Sequence, residues 1–233
     1  PGFPLYCSPA GVDVYKRQVL DTGVATTHPA LAGHLVSPMR WRDFVDDDND
    51  PSEVLGGLAS GHGTHVAGLV SLAAPQTRLL PVRVLDADGA GNAWRVADAI
   101  RWAADDMALH GERGVINLSL GTTVEADILR EAVRYAVDER NVIVVAAVGN
   151  QNLPSLIWPA ADSRPLAVTA LDPFDRKAAF ANYGLDTDVA AYGVSIYSTM
   201  IYTDGTPGYA WWSGTSMAAP LVSGVAALYR ANN

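Results

Sequence analysis

Short runs of consecutive apolar residues alternate along this chain with longer stretches where apolar residues return every three or four positions. The short runs, at 79–85, 115–120, 142–147 and 166–170, are apolar on both faces, as strands buried on both sides are. Between them, 93–109 and 125–140 carry helical spacing, as do 62–73 and 215–230. A further apolar strand ends at Val19-Leu20-Asp21. This alternation predicts an α/β fold, a mostly parallel central sheet flanked by helices on both faces. Ligands of such sheets bind beyond the carboxyl ends of the strands, where Asp21, Ser119 and Asn150 fall. No repeat or low-complexity linker divides the chain.

The 233 residues, 49% hydrophobic and 18% charged, suit one domain with a sizeable core. The net charge of −9 argues against nucleic acid or an anionic membrane as partner. No apolar run approaches the roughly 18 residues that would span a bilayer. Residues 1–18 are set apart, because Asp13-Val14-Tyr15-Lys16-Arg17-Gln18 resembles a translated adapter end from sequencing libraries. The domain is expected to run from 19 to 233. The single cysteine of the chain, Cys7, lies in the segment set apart, so no disulfide framework is expected.

The chemistry concentrates in three motifs. Gly214-Thr215-Ser216-Met217-Ala218-Ala219-Pro220 puts a serine at the start of an apolar helix, where free N–H groups favour a developing negative charge. His62-Gly63-Thr64-His65-Val66-Ala67-Gly68 offers a base, and Asp21-Thr22-Gly23 a carboxylate to orient it. Each residue alone has a plainer reading: a helix cap for Ser216, a turn residue for Asp21. Zinc ligation by His62 and His65 lacks the glutamate and the spacing of a metallopeptidase helix. His28, His34 and His110 read as surface histidines.

In the order Asp, His, Ser, together with Ala146-Ala147-Val148-Gly149-Asn150, these motifs resemble the subtilisin-like serine peptidases, from Val19 to about Asn233. The resemblance implies a serine endopeptidase. Ser216 would be the nucleophile, His62 the general base and acid, Asp21 its orienting partner, and Asn150 an oxyanion donor assisted by Thr215. It implies protein or peptide substrates bound as extended strands along Ser119, Leu120, Gly121 and Ala147, Val148, Gly149, with Ile157 near the floor of an apolar pocket. It also implies a secreted, monomeric protein needing no cofactor for the chemistry. Both termini look cut relative to the family, which makes an inert fragment or a binding module the alternative reading. A lipase-like hydrolase would need Gly-x-Ser-x-Gly, which Gly214-Thr215-Ser216-Met217-Ala218 does not supply. Many members carry a calcium loop after the histidine helix, but here Leu72-Ala73-Ala74-Pro75 runs almost directly towards the next strand. Two readings of Asp46-Asp47-Asp48-Asn49-Asp50 stay open: structural calcium held by Asp46, Asp48 and Asp50, or a solvated acidic loop.

Overall fold

Alternate side chains of each central strand enter different cores, because successive residues of a strand point to opposite faces. In the computed structural model, which describes residues 16–232, Leu20, Leu80, Ile116 and Val144 face one side of the sheet. Val19, Leu79, Val115 and Val145 face the other. Seven strands form the sheet: β1 (Lys16–Asp21), β2 (Arg42–Asp43), β3 (Arg78–Arg83), β4 (Gly114–Leu118), β5 (Ile143–Ala147), β6 (Leu166–Leu171) and β7 (Val189–Tyr192). They pair in parallel in the order β2-β3-β1-β4-β5-β6-β7. Strand order reverses between β1 and β4, which opens a crevice outside their carboxyl ends.

Helix α1 (His62–Ala73) and α4 (Thr215–Asn232) cover one face, packed against each other. A Cβ on Gly224 of α4 would stand 2.2 Å from Cβ of Ala73, so only glycine permits that approach. Helix α2 (Ala93–Leu109) and α3 (Asp127–Arg134) cover the opposite face, and α3 continues into a single π-helical turn, Tyr135–Glu139. An antiparallel hairpin, β8 (Ile196–Ile201) and β9 (Pro207–Trp212), lies along α1. The sequence reading places no strand over β7, β8 or β9. Most of their side chains are exposed or half exposed, so the apolar residues of β7 and β9 do not form buried runs like those of the central strands.

Strand β1 begins at Lys16, so Lys16, Arg17 and Gln18 of the segment set apart pair in register with β3 and β4. The buried Arg17 guanidinium donates to the carbonyls of Val70 and Ala74 at the end of α1, the latter at 2.6 Å. Burial lowers its pKa to about 10. Cys7 lies outside the described residues. His28 is not a surface histidine: it is 2% exposed, its Nδ1 accepts from Ala30 N at 3.1 Å, and Nε2 meets the Gly208 carbonyl at 3.0 Å. The loop context hid this because the hairpin that buries it arrives from 180 residues away.

Candidate active site

Asp21 is the last residue of β1 and is fully buried. Its Oδ1 accepts from Thr22 N at 2.8 Å and from His62 Nδ1 at 2.6 Å. His62 opens α1 directly after Gly61, whose φ of 87° is the left-handed conformation that turns the chain into the helix. Burial disfavours the imidazolium, but the Asp21 carboxylate, by charge and hydrogen bond, and the Glu53 carboxylate behind it lift the His62 pKa above the ordinary value. His65, one turn on, stacks on Trp212 and bonds through Nε2 to the Ala210 carbonyl at 3.1 Å. Burial lowers its pKa, so it is a neutral strut between α1 and the hairpin.

Ser216 stands in the first turn of α4, at the mouth of the crevice. Pro220, four residues on, has no N–H, so the Ser216 carbonyl loses its helical donor. Ser119 replaces it: its hydroxyl, just past β4, donates to the Ser216 carbonyl at 2.9 Å. Asn117 Nδ2 in turn donates to Ser119 Oγ at 3.0 Å, and Ser223 Oγ donates to Asn117 Oδ1 at 2.8 Å. The start of α4 is therefore tied to the end of β4. Ser216 Oγ itself donates to the Ser119 carbonyl at 3.2 Å.

Asn150 follows β5, and its Oδ1 accepts from Thr215 N at 2.9 Å and Thr215 Oγ1 at 3.0 Å. That fixes the amide so that Nδ2 is the group left for a ligand. Thr215 N and Oγ1 thus hold the Asn150 side chain in place.

His62, Asn150, Thr215 and Ser216 line one groove of about 620 Å³, with Asp21 behind it. Ser119, Leu120, Gly121, Ala147, Gly149 and Ile157 line it too. Ile157 fills the space between two glycines: a Cβ on Gly121 would lie 2.6 Å from Ile157 Cδ1, and one on Gly149 3.0 Å from Ile157 Cγ2. Val148 is placed differently. Its side chain is buried in the core, while its carbonyl accepts from Ile157 N and Asn182 Nδ2, both at 3.1 Å. Leu85, Val96, Val124 and Leu129 also line the groove and had no motif to mark them.

The acidic loop does not gather its carboxylates. Asp46 pairs with Arg83 at 2.6 Å, Asp48 caps Asp50 N at 2.8 Å, and Asp50 caps Ser52 N at 3.2 Å. Among the described residues no group of three or more His, Cys, Asp or Glu is placed to hold a metal ion, so these donors do not fit a calcium site.

Comparison with known proteins gives concordant matches. The model of the subtilase family matches residues 18–233. The chain is 44% identical over 220 residues to a thermophilic serine proteinase of Bacillus sp. (strain AK1), covering 90% of this chain and 50% of that one. It is 44% identical over 223 residues to thermitase of Thermoactinomyces vulgaris, covering 91% and 74%. It thus spans half the length of the first relative. Among solved structures, a cold adapted subtilisin-like serine proteinase superposes with a TM-score of 0.79 at 34% identity, covering 99% of this chain and 81% of that chain. Sphericase superposes with 0.81 at 32%, covering 98% and 81%.

Proposed function

This chain belongs to the subtilase family, and from that premise we propose that it is a serine endopeptidase acting through Ser216, His62, Asp21 and Asn150. The observation that carries this reading is the 2.6 Å bond from buried Asp21 to His62, facing a groove that also holds Ser216 and Asn150. Ser216 Oγ gives up its bond to the Ser119 carbonyl and passes its proton to His62 Nε2 as it attacks a peptide carbonyl. Asp21 holds the Nδ1–H tautomer and stabilises the imidazolium. The oxyanion takes hydrogen bonds from Asn150 Nδ2 and Ser216 N, at the dipole-positive start of α4. His62 then protonates the leaving amine, and water repeats the sequence on the acyl-enzyme with His62 again as base.

An extended peptide would pair with the backbone after β4 and β5 as an added strand. Ile157 beneath Gly121 and Gly149 favours a small or medium apolar side chain in the pocket. Because the base must be neutral, activity falls as pH drops through the raised pKa of His62, which makes the enzyme neutral-to-alkaline in habit. The reading extends to protein substrates, a monomeric state and an extracellular setting. Among the described residues no helix is long and apolar enough to cross a membrane.

Fluorophosphonate labelling of the chain and of Ser216→Ala, scored by intact mass, tests the proposal. One adduct that disappears in the variant supports an assembled nucleophile, base and oxyanion hole. An adduct that persists in the variant, or none on the parent chain, overturns it.

A further inference from the structure

A carboxylate outside the three motifs sits behind the Asp21–His62 pair. Glu53 lies in the loop before α1, a stretch with no motif, yet both its oxygens are directed into the protein. Oε1 accepts from Thr64 N at 2.9 Å and Thr64 Oγ1 at 3.1 Å. Oε2 accepts from Gly61 N at 3.2 Å and Thr22 Oγ1 at 3.1 Å. Thr22 Oγ1 accepts in turn from Gly63 N at 3.0 Å. Helix α1 has no side-chain cap at Gly61, so Glu53 and Thr22 together satisfy the N–H groups that a local cap would normally take. These bonds flank the pair on both sides. Thr22 is the neighbour of Asp21, and Gly61 and Gly63 are the neighbours of His62.

We propose that Glu53 is a positioning residue for the Asp21–His62 pair, its carboxylate fastening the turn after β1 to the first turn of α1. The inference rests on the catalytic reading above for its consequence in rate, and on the hydrogen-bond circuit alone for its consequence in geometry. A carboxylate suits the place for two reasons. It accepts several hydrogen bonds at once, and its negative charge favours both the helix N-terminus and the imidazolium that forms on His62.

The groups facing Glu53 are Asp21 from the end of β1 and His62 from the start of α1. Burial first, and then the like charge of Asp21, push the Glu53 pKa up to about 7 against the bonds from Thr64 and Gly61 that favour its ionised form. The circuit is thus intact above neutrality and weakens below it. A protonated Glu53 has one good acceptor oxygen left for two N–H donors. Loss of activity at acid pH therefore involves two protons, one on His62 and one on Glu53.

The test compares the parent chain with Glu53→Gln, Glu53→Asp and Thr22→Val, each checked for folding by thermal melt. Two readouts are taken: the NMR titration of the His62 ring, and the pH profile of kcat/KM on a peptide substrate. In Glu53→Gln the His62 titration is expected to move to lower pH, since one of the charges supporting the imidazolium is gone. The acid limb of kcat/KM should change from a two-proton to a one-proton slope. Its kcat should fall about 10- to 100-fold with KM within twofold, as expected of misaligned groups. Thr22→Val, which keeps the charge and breaks the link, should lower kcat without moving the titration. Glu53→Asp should restore the titration of the parent.

An unmoved His62 titration in folded Glu53→Gln overturns the proposal. So does a rate loss that only follows a lower fraction of labelled sites. The His62 titration needs no turnover, so a parent chain that fails to cleave peptides would refute the peptidase reading while the role of Glu53 was still decided.

Discussion

Replacing Gly63 by alanine is expected to disable the site well before it unfolds the protein. Gly63 follows His62 in the first turn of α1, and a Cβ there would stand 2.0 Å from the Gly23 carbonyl oxygen and 3.0 Å from Cβ of Asp21. Neither neighbour is the flexible end of a side chain, so backbone must move. Ordinary contact begins near 3.4 Å, and the β1 turn and the helix start would have to part by more than about 1 Å. That displacement runs across the 2.6 Å bond between Asp21 and His62. A shift of about 1 Å in reacting groups lowers the rate by about 100-fold, or about 2.7 kcal/mol of barrier. Overpacking by itself costs about 1–3 kcal/mol of stability, which for a domain of this size is a fall of about 2–12 °C in Tm. The assay is kcat/KM per fluorophosphonate-titrated site on a peptide substrate, alongside calorimetric Tm. A Gly63→Ala protein that keeps kcat/KM within threefold of the parent would refute the packing argument, whatever its Tm.

Three further outcomes follow from the same geometry. Asn150→Ala should lower kcat by about 10²–10³, the range measured on a subtilisin, with little change in KM; a change below threefold in steady-state kinetics would remove Asn150 from the oxyanion site. Ser119→Ala strips the donor from the carbonyl that Pro220 leaves orphaned, and should cost about 1–3 kcal/mol in urea denaturation. An unchanged denaturation midpoint and slope would mean that carbonyl needs no donor. Glu53→Gln probes linkage: the Glu53 pKa of about 7 exceeds the ordinary 4.5, so between those values the folded chain holds a proton that the unfolded chain has released. The stability of the parent relative to Glu53→Gln is then greatest below pH 4.5 and falls by up to about 3 kcal/mol as pH rises through 7. Equal gaps in denaturation free energy at pH 4 and pH 8 would contradict this.

Much of the architecture was legible because it rests on local regularities. Helices α1 and α2 begin and end where the sequence pattern predicts, since residue spacing and flanking turn residues are properties of neighbouring positions. Only α2 is amphipathic, whereas α1 is buried along most of its length. The runs that became β3 to β6 were apolar on both faces because helices cover the sheet on both sides. The hairpin β8–β9 was illegible. Its strands are only half buried, and they pack against α1, a helix far away in the sequence, so local pattern does not reveal them. His28 was misread for the same reason, its burial being supplied by that hairpin.

The sequence by itself determined the layer order and the types of reactive group, because strand and helix periods and the motifs around Asp21, His62, Asn150 and Ser216 are written in consecutive residues. What only the tertiary structure decided is which groups meet and what charge they carry. A glutamate in a polar loop has an ordinary pKa until folding removes its water, and Glu53 meets Thr22, Gly61 and Thr64 only because β1 and α1 converge on it. Pro220 leaves a carbonyl unpaired in any helix, but that Ser119 answers it depends on α4 crossing the end of β4. Desolvation and hydrogen-bond satisfaction are set by what surrounds an atom in space, and parallel crossovers bring together residues that the chain keeps far apart.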